Sequence, residues 1–266
     1  MSKELIQQQF GANAANYVTS SVHAKGVSLQ RLVDVVSPKA EWSMLDVATG
    51  GGHTALAFAP HVAHVIASDL TQEMLVQVRK QIDAKGVKNV ETMRADAEDL
   101  PFADGAFDLV TCRIAPHHFG DIPKFVTEVH RVLKPGGTFA LVDNVSPDEN
   151  ITPGFSADEL RDAAETYNRF EKIRDPSHGR SWQPQEWRDC VTATGFDLGH
   201  TEFLPKKMHF ETWMNNMSVP PDKRPGLEDM LRQASPAFAA YIKPEDGDDG
   251  LGFTIAEILM VARRAS

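Results

Sequence analysis

Short apolar runs alternate with longer mixed segments through the middle of the chain. Five runs rich in Val, Ile and Leu, at 42–47, 62–68, 90–94, 107–112 and 138–143, predict buried strands. Because their apolar residues are continuous and not alternating, helices should cover both faces of each strand. The segments at 52–59, 71–85 and 122–133 have helical patterns. This alternation predicts a doubly wound, Rossmann-like α/β fold with a mostly parallel sheet.

The pattern changes on either side of this middle region. Residues 2–37 predict N-terminal helices, and a polar helix near 156–172 is followed by a turn-rich stretch at 175–179. A helix at 184–194, a strand near 196–204, a helix near 225–240 and a strand at 253–262 complete the pattern. We therefore expect a single domain over 1–266. Within it, 1–40 forms a helical cap, 41–145 a cofactor-binding core, 146–184 a lid over the substrate and 185–266 the C-terminal part of the sheet.

A glycine-rich loop follows the first predicted strand, in LDVATGGGHTA at 45–55. Glycines at this place allow a tight turn and let a ligand approach the backbone closely. The segment also matches the G-x-G-x-x-G/A fingerprint of dinucleotide sites, and that match alone is weak. The loop therefore predicts a nucleotide-like ligand without deciding between an NAD(P) cofactor and S-adenosylmethionine.

Acidic residues at the ends of three successive strands favour one of these ligands. Asp46 ends the first strand, where a carboxylate would repel a pyrophosphate but attract the ammonium group of S-adenosylmethionine. Asp69 ends the second strand and would bind ribose hydroxyls in either ligand. Asp96 ends the third, where it could accept from the adenine amino group beside the backbone N–H of Ala97. A loop-bracing role for Asp46 stays open, but the set predicts S-adenosylmethionine.

Three further blocks follow the glycine loop in order: ASDLTQEML at 67–75, RADAEDLPFADGAFDLVTCRIAPHHF at 94–119 and EVHRVLKPGGTFALVD at 128–143. With the loop, they resemble the class I S-adenosylmethionine-dependent methyltransferases, specifically the branch like the ubiquinone/menaquinone-biosynthesis C-methyltransferases. The resemblance implies S-adenosyl-L-methionine as cofactor and S-adenosyl-L-homocysteine as product. It also implies a seven-stranded sheet whose last strand, here 253–262, is antiparallel.

The same resemblance assigns the cofactor-binding residues. It implies that Asp46, Gly50 and Gly52 hold the methionine portion, where Arg113 also makes contact, and that Asp69 binds the ribose. The other implied residues are Leu70 and Met74 beside the ribose, and Asp96 and Ala97 at the adenine. Ala48 stands where the family usually has glycine, so we expect it in the cofactor-binding loop with a φ that is not positive.

Two adjacent histidines follow the fourth strand, in RIAPHHF at 113–119. Methyl transfer needs alignment of donor and acceptor and, for many acceptors, removal of a proton. His117 or His118 is the candidate base near neutral pH, and a packing role is an equal alternative for each. Because no third ligand stands at a characteristic spacing, we expect no metal site.

Residues around the same crevice are candidates for the acceptor site. They are Tyr17, His117, Asp143, Asn144 and His178, with Phe10 closing one side. The predicted function is methyl transfer to a small-molecule acceptor, with C- or O-methylation favoured. The alternatives are an NAD(P)-dependent oxidoreductase, which leaves Asp46 and Asp96 unexplained and lacks a YxxxK dyad, and a non-catalytic S-adenosylmethionine-binding protein.

The net charge and the cysteines indicate which class of partner and which cellular compartment to expect. The net charge of −10, without a Lys/Arg cluster, argues against a nucleic-acid partner. Cys112 and Cys190 are the two cysteines and suit reduced thiols of a cytoplasmic protein. We see no signal peptide and no integral membrane segment, and we leave open whether the chain forms a homodimer.

Overall fold

The computed structural model describes residues 3–19, 26–248 and 250–265, with side chains described for 3–11 and for those from 26 onward. Within these residues, eight strands form a single sheet. They are β1 (Ser43–Val47), β2 (His64–Asp69), β3 (Val90–Arg94), β4 (Phe107–Arg113), β5 (Leu133–Val145), β6 (Phe196–His209), β7 (Glu245–Gly247) and β8 (Gly250–Arg264).

The strand order is β3-β2-β1-β4-β5-β8-β6, with β7 paired to β8. Strands β1 to β5 pair in parallel, and β8 runs antiparallel to both β5 and β6. The mostly parallel Rossmann-like sheet with an antiparallel last strand is therefore confirmed. The eighth strand, β7, is a three-residue arm of a hairpin with β8.

The described helices occupy both faces of the sheet and an added layer. They are α1 (Lys3–Thr19), α2 (Val27–Val36), α3 (His53–Phe58), α4 (Gln72–Lys85), α5 (Ile122–Val132), α6 (Ala157–Arg174), α7 (Pro184–Ala193), α8 (Phe210–Asn215), α9 (Arg224–Arg232) and α10 (Pro236–Ile242). Local chemistry sets their ends. A capping box of Ser156 and Glu159 begins α6, and Gly86 in the left-handed conformation ends α4. In the part of the chain that the structure describes, no helix is long and apolar enough to cross a membrane.

Several elements differ from the sequence prediction: α8 (Phe210–Asn215) and β7 (Glu245–Gly247) were not predicted, and β6 continues to His209. The single helix expected at 225–240 is two helices, α9 and α10, because Pro236 lacks an N–H and disfavours helical backbone at the preceding Ser235. Residues 134–137, between the predicted helix at 122–133 and the predicted strand at 138–143, lie inside β5, where the register against β4 jumps from Leu133 to Thr138. These four residues form a bulge within a longer strand.

Three apolar cores hold the chain together. One lies between the sheet and α5 and α7, and a second lies between the sheet and α2, α3 and α4. The third joins α6 to α8, α9, α10 and the start of β8, and Phe170 stacks on Trp213 in it at 4.5 Å between ring centroids. The segment expected to act as a lid therefore shares a core with residues from the C-terminal part of the chain.

Candidate functional site

A cleft of about 1060 Å³, open to solvent, lies at the carboxyl ends of β1, β2, β3 and β4. Parallel α/β sheets bind ligands at this edge, where the strand order reverses between β1 and β4. The lining comes from the loops after these strands and from α1: Lys3, Ile6, Phe10, Asp46, Ala48, Thr49, Gly50, Gly51, His53, Thr54, Asp69, Leu70, Thr71, Met74, Ala95, Asp96, Ala97, Glu98, Arg113, Ile114, Ala115, His118, Phe119 and Gly120.

The loop after β1 has an unusual backbone. Gly50 and Gly52 have φ of 53° and 79°, and Ala48 has φ of 51°. The expectation that Ala48 avoids positive φ is therefore wrong. The turn is fixed by hydrogen bonds from Thr49 N to Ser68 O at 2.8 Å and from Gly52 N to Thr49 O at 2.9 Å. These bonds impose the left-handed conformation although a Cβ makes it unfavourable by about 1–2 kcal/mol.

The two glycines at 50 and 52 have different surroundings. A Cβ on Gly50 would meet nothing within 4 Å, so this position faces open space in the cleft. A Cβ on Gly52 would lie 2.9 Å from a methyl of Val78, so Gly52 lets α4 pack closely against the loop. Gly52 is not in the cleft lining, and a contact between it and the cofactor stays a prediction.

Asp46 is buried at the base of the cleft. Its carboxylate accepts hydrogen bonds from Thr49 Oγ1 and Thr111 Oγ1, both at 2.6 Å, and from Ala55 N at 3.1 Å. Burial raises the pKa of Asp46 to about 6, and these hydrogen bonds together with the positive charge of Arg113 limit the rise. Asp46 therefore braces the loop, as one interpretation of the sequence had it, and also lines the cleft.

Asp69 and Asp96 stand at the ends of their strands as predicted. The Asp69 carboxylate accepts from Gly50 N at 2.9 Å and from Thr71 N at 2.8 Å, and burial raises its pKa. This bonding joins the loop after β1 to the start of α4. Asp96 accepts from Glu98 N at 3.0 Å and is half-exposed.

Helix α1 covers the cleft from the solvent side. Lys3 forms ion pairs with Asp96 at 2.5 Å and Glu98 at 3.0 Å, and Gln7 Nε2 donates to Leu70 O at 3.1 Å. The Phe10 ring meets the His118 ring edge-on at 4.9 Å between centroids. Phe10 thus lines the cleft beside His118, and its role in closing an acceptor site stays a prediction. Tyr17, the other candidate on this helix, lies outside the described side chains.

Arg113 and Ile114 form the wall after β4. Arg113 is largely buried, and its Nε donates to Thr54 Oγ1 at 3.1 Å. Burial lowers the pKa of Arg113, while the carboxylates of Glu257 and Asp46 oppose this. Ile114 has φ of 55°, a strained value for a β-branched residue, and its N–H donates to Val142 O at 2.7 Å. Strained backbone of this kind is common at functional sites.

The two candidate bases differ in position. His118 lines the cleft, and its Nδ1 lies 2.9 Å from Ser177 O. His117 lies behind it, outside the cleft lining, with Nδ1 2.6 Å from Asp143 Oδ1. The structure therefore presents His118 and not His117 to a ligand in the cleft, while the catalytic roles of both stay predictions.

The other candidate acceptor residues lie deeper than the cleft. Asp143, Asn144 and His178 are buried and are not part of the cleft lining. His178 Nε2 lies 3.0 Å from Asn168 Oδ1, and its ring centroid is 5.5 Å from that of His117. They gather around His117, and contact with an acceptor stays a prediction for each. Among the described residues, no group of His, Cys, Asp and Glu could hold a metal ion.

Several lining residues were not predicted from the sequence. Thr49, Thr54 and Thr71 bring hydroxyl groups to the loops that follow β1 and β2, and His53 begins α3. Glu98 accepts from the N–H groups of Gly120 and Asp121, at 2.8 and 3.1 Å. The position of these residues one to three places from a predicted site residue was the available signal.

The side chains of the cleft fit a ligand that carries positive charge and hydrogen-bond donors. Carboxylates end three neighbouring strands at the cleft, and Gly50 leaves room for a ligand against the backbone. A pyrophosphate group next to the loop after β1 would be repelled by the Asp46 carboxylate. An ammonium group, ribose hydroxyls and an amino group would find acceptors instead.

Comparison with known proteins agrees with this geometry. Residues 45–141 match the family model described as a methyltransferase domain. The uncharacterized methyltransferase YcgJ of Bacillus subtilis is 35% identical over 226 residues, which cover 85% of this chain and 85% of the relative. A demethylmenaquinone methyltransferase of Thermus thermophilus is 38% identical over 120 residues, 44% of this chain and 54% of that protein.

The fold agrees over almost the full length. The crystal structure of YcgJ from Bacillus subtilis superimposes with a TM-score of 0.81 at 32% identity. The match covers 90% of this chain and 98% of that chain. The similarity therefore extends beyond residues 45–141 in both directions.

Proposed function

The chain belongs to the S-adenosylmethionine-dependent methyltransferases, and we propose that it methylates carbon or oxygen of a small, uncharged acceptor. The observation that carries the proposal is the arrangement of one cleft. Carboxylates at three strand ends stand on the cofactor side, and an imidazole, His118, stands in a mostly apolar wall.

Residues that follow different strands would bind different parts of the cofactor. Asp46, Ala48, Gly50 and Arg113 would hold the methionine portion, and Asp69 with Leu70 and Met74 would hold the ribose. Asp96 and Ala97 would hold the adenine. Each of these residues lines the cleft, and Gly52 supports the loop from behind.

The acceptor side is apolar and aromatic. Ile6, Phe10, Ile114, Ala115 and Phe119 line the cleft, and the Phe10 ring contacts His118. A flat, uncharged molecule fits such a lining, and the net charge of −10 disfavours a polyanion such as nucleic acid. Relatives named as demethylmenaquinone methyltransferases support a quinone-like ring as one acceptor of this kind, although the one from Thermus thermophilus matches 44% of the chain.

The reaction is an in-line displacement. When bound, the sulfonium group supplies the methyl: the acceptor atom forms the new bond to the methyl carbon, and the electron pair of the broken C–S bond stays on sulfur as a neutral thioether. The chain aligns the acceptor in the cleft, and His118 takes the proton that the acceptor O–H or C–H loses. Helix α1 contributes Ile6 and Phe10 to this side of the cleft.

Calorimetry with S-adenosylmethionine, S-adenosylhomocysteine and NAD⁺ tests the cofactor. We expect binding of the first two without NAD⁺, and the reverse would support the oxidoreductase alternative. A screen of phenols, enols and quinols with radiolabelled S-adenosylmethionine then tests catalysis. S-adenosylhomocysteine binding with no methylation across the screen would favour the non-catalytic alternative.

Asp69→Ala tests the ribose site. The change removes a charged hydrogen-bond acceptor, so we expect S-adenosylhomocysteine to bind about 1–3 kcal/mol more weakly. Asp83→Ala, an exposed carboxylate on α4, is the matched control and should leave affinity unchanged. Urea unfolding of both variants separates lost contact with the ligand from loosening of the loop that Asp69 holds. Unchanged affinity in Asp69→Ala would exclude this residue from the ribose site.

A further inference from the structure

One turn holds two adjacent histidines in different environments. His117 and His118 lie in a short 3₁₀ helix after β4, with ring centroids 4.2 Å apart. Both are buried, yet His118 borders the cleft and His117 does not. The imidazole that borders the cleft therefore contacts a second, deeper imidazole.

The bonding of His118 selects one form of its ring. Ser177 O can only accept a hydrogen bond, so Nδ1 of His118, 2.9 Å away, carries the proton. In a neutral ring, Nε2 then has the lone pair. The N–H of Nδ1 and the lone pair of Nε2 point in nearly opposite directions from the ring, so this lone pair points away from Ser177. The carboxylate of Asp175 fixes Ser177 by accepting from its N–H at 2.8 Å and its hydroxyl at 2.6 Å.

The bonding of His117 favours the charged form of its ring. Its Nδ1 lies 2.6 Å from Asp143 Oδ1, and Asp143 is fully buried. Burial lowers the pKa of His117, but the charge and hydrogen bond of Asp143, with the more distant charges of Glu171 and Asp175, outweigh this and raise it. A charge-assisted bond between a buried imidazolium and a carboxylate accounts for this short distance.

We propose that the His117–Asp143 ion pair is a positioning device that holds His118 neutral, with Nε2 as the hydrogen-bond acceptor presented to the cleft. The inference rests on the proposed methyl transfer for its purpose. It concerns the state of this chain alone, so it can be measured without a methyl donor or an acceptor.

The other groups around His118 are consistent with this role. Burial and the charge of His117 lower the pKa of His118; Asp175 opposes them, and Arg174 at the end of α6 adds to the lowering. Helix α1 brings Phe10, which has no charge. His178 has its own pKa lowered by burial and by the two neighbouring histidines, so its ring is neutral as well.

This arrangement has a consequence for the acceptor. A neutral imidazole beside a fixed positive charge is a weak base, which takes protons most readily from acidic groups. Enols, phenols and carbons between two carbonyl groups have such protons, whereas aliphatic alcohols do not. The proton passes to Nε2 of His118 and returns to solvent, because two adjacent imidazolium rings repel each other.

Nuclear magnetic resonance titration of the histidine rings tests the inference in the full chain. In His117→Gln we expect the pKa of His118 to rise by about one unit or more, because the neighbouring charge is gone. His178→Gln is the matched control: it removes a neutral ring next to His118 and should shift the pKa by less than half of that. In Asp143→Asn the ring of His117 stays but loses its partner, and its own pKa should fall.

Each outcome is decisive. An unchanged pKa of His118 in His117→Gln, or an equal rise in His178→Gln, would overturn the inference, as would an Nε2–H form of His118 in the unaltered protein. If His117→Gln does not fold, an unchanged pKa of His117 in Asp143→Asn overturns it and a fall supports it. If the titration contradicts the inference about His118 while S-adenosylhomocysteine still binds, the proposed function stands. If the unaltered chain does not bind S-adenosylhomocysteine, the proposed function fails, and the titration alone decides the inference about His118.

Discussion

Ala48 occupies a left-handed conformation that its side chain opposes, in a loop that lines the cofactor side of the cleft. We expect Ala48→Gly to stabilise the fold by up to about 1 kcal/mol, because relief of an unfavourable φ outweighs the added freedom of the unfolded chain. Urea unfolding measures this change.

Ala63→Gly is the matched control for that substitution. Ala63 is exposed and its φ is not positive, so the same chemical change should destabilise the fold by about 0.4–1 kcal/mol. If both variants lose stability equally, the left-handed conformation at Ala48 does not strain the loop.

We expect Asp46 to make ligand binding depend on pH. Its folded-state pKa of about 6 lies above the ordinary value of 3.8, so between these values the folded chain binds more protons than the unfolded chain. Stability from this group therefore falls as pH rises from about 4 to 6. Binding of a cationic ligand favours the ionised carboxylate and works in the opposite direction.

We expect the affinity for S-adenosylmethionine to rise about tenfold between pH 5 and pH 7, with proton release on binding near pH 6. Calorimetry in buffers of different ionisation enthalpy measures both quantities. Asp46→Asn, which has no charge to gain, should remove the dependence. A dependence that survives in Asp46→Asn would assign it to another group.

The sequence predicted the position of the acidic residues at the cleft better than the backbone conformations there. Asp46, Asp69 and Asp96 could be placed because parallel strands bring their carboxyl ends to one edge. The positive φ of Ala48 could not, since alanine usually avoids it and the hydrogen bonds that impose it involve Ser68 on another strand. The difference between His117 and His118 likewise depends on Asp143 and Ser177, which are distant in sequence.

Among the helices, α1 contributes described side chains to the cleft and not to the apolar cores. None of its described side chains belongs to the three apolar cores, whereas Lys3, Ile6 and Phe10 line the cleft. The helix should therefore affect exchange of ligands more than the stability of the fold.

We expect the double variant Gln7→Ala/Phe10→Ala to release S-adenosylhomocysteine about tenfold faster, since it loses one hydrogen bond and one ring contact over the cleft. Stopped-flow fluorescence measures the rate. Gln8→Ala, exposed on the same helix, is the control and should not change it. Equal rates in all three proteins would show that α1 does not limit ligand exit.

Strands and helices with strong apolar periodicity were predicted within a few residues, including β3 at 90–94 without error. The break between α9 and α10 was not, although Pro236 gave a local signal for it. The packing of α6 against α8–α10 was beyond prediction, because it pairs segments separated by β6 and depends on tertiary contacts such as Phe170 with Trp213.

At the scale of the whole molecule, the third core is separate from the cleft. No residue of that core lines the cleft, so the helical layer and the cofactor side should respond separately to substitution. Trp213 is the centre of the layer: it is buried and packs against Phe170, Phe210 and Phe253.

We expect Trp213→Ala to lower the free energy of unfolding by about 3–5 kcal/mol, and to leave S-adenosylhomocysteine affinity within about twofold below the melting transition. Trp213→Phe, which keeps an aromatic ring in the stack, should cost much less. Chemical unfolding and calorimetry provide the two measurements. A parallel loss of affinity in Trp213→Ala would show that the layer and the cleft are coupled.

The position of β8 has a consequence for how the protein is made. Residues 250–264 pair with β5 on one side and β6 on the other, and these two strands do not pair with each other. During synthesis on the ribosome, β5 and β6 therefore each have an unpaired hydrogen-bonding edge until β8 has been synthesised. Open edges recruit other chains. Nascent chains stalled before residue 250 should thus depend on chaperones, although strands β1 to β5 have already been synthesised.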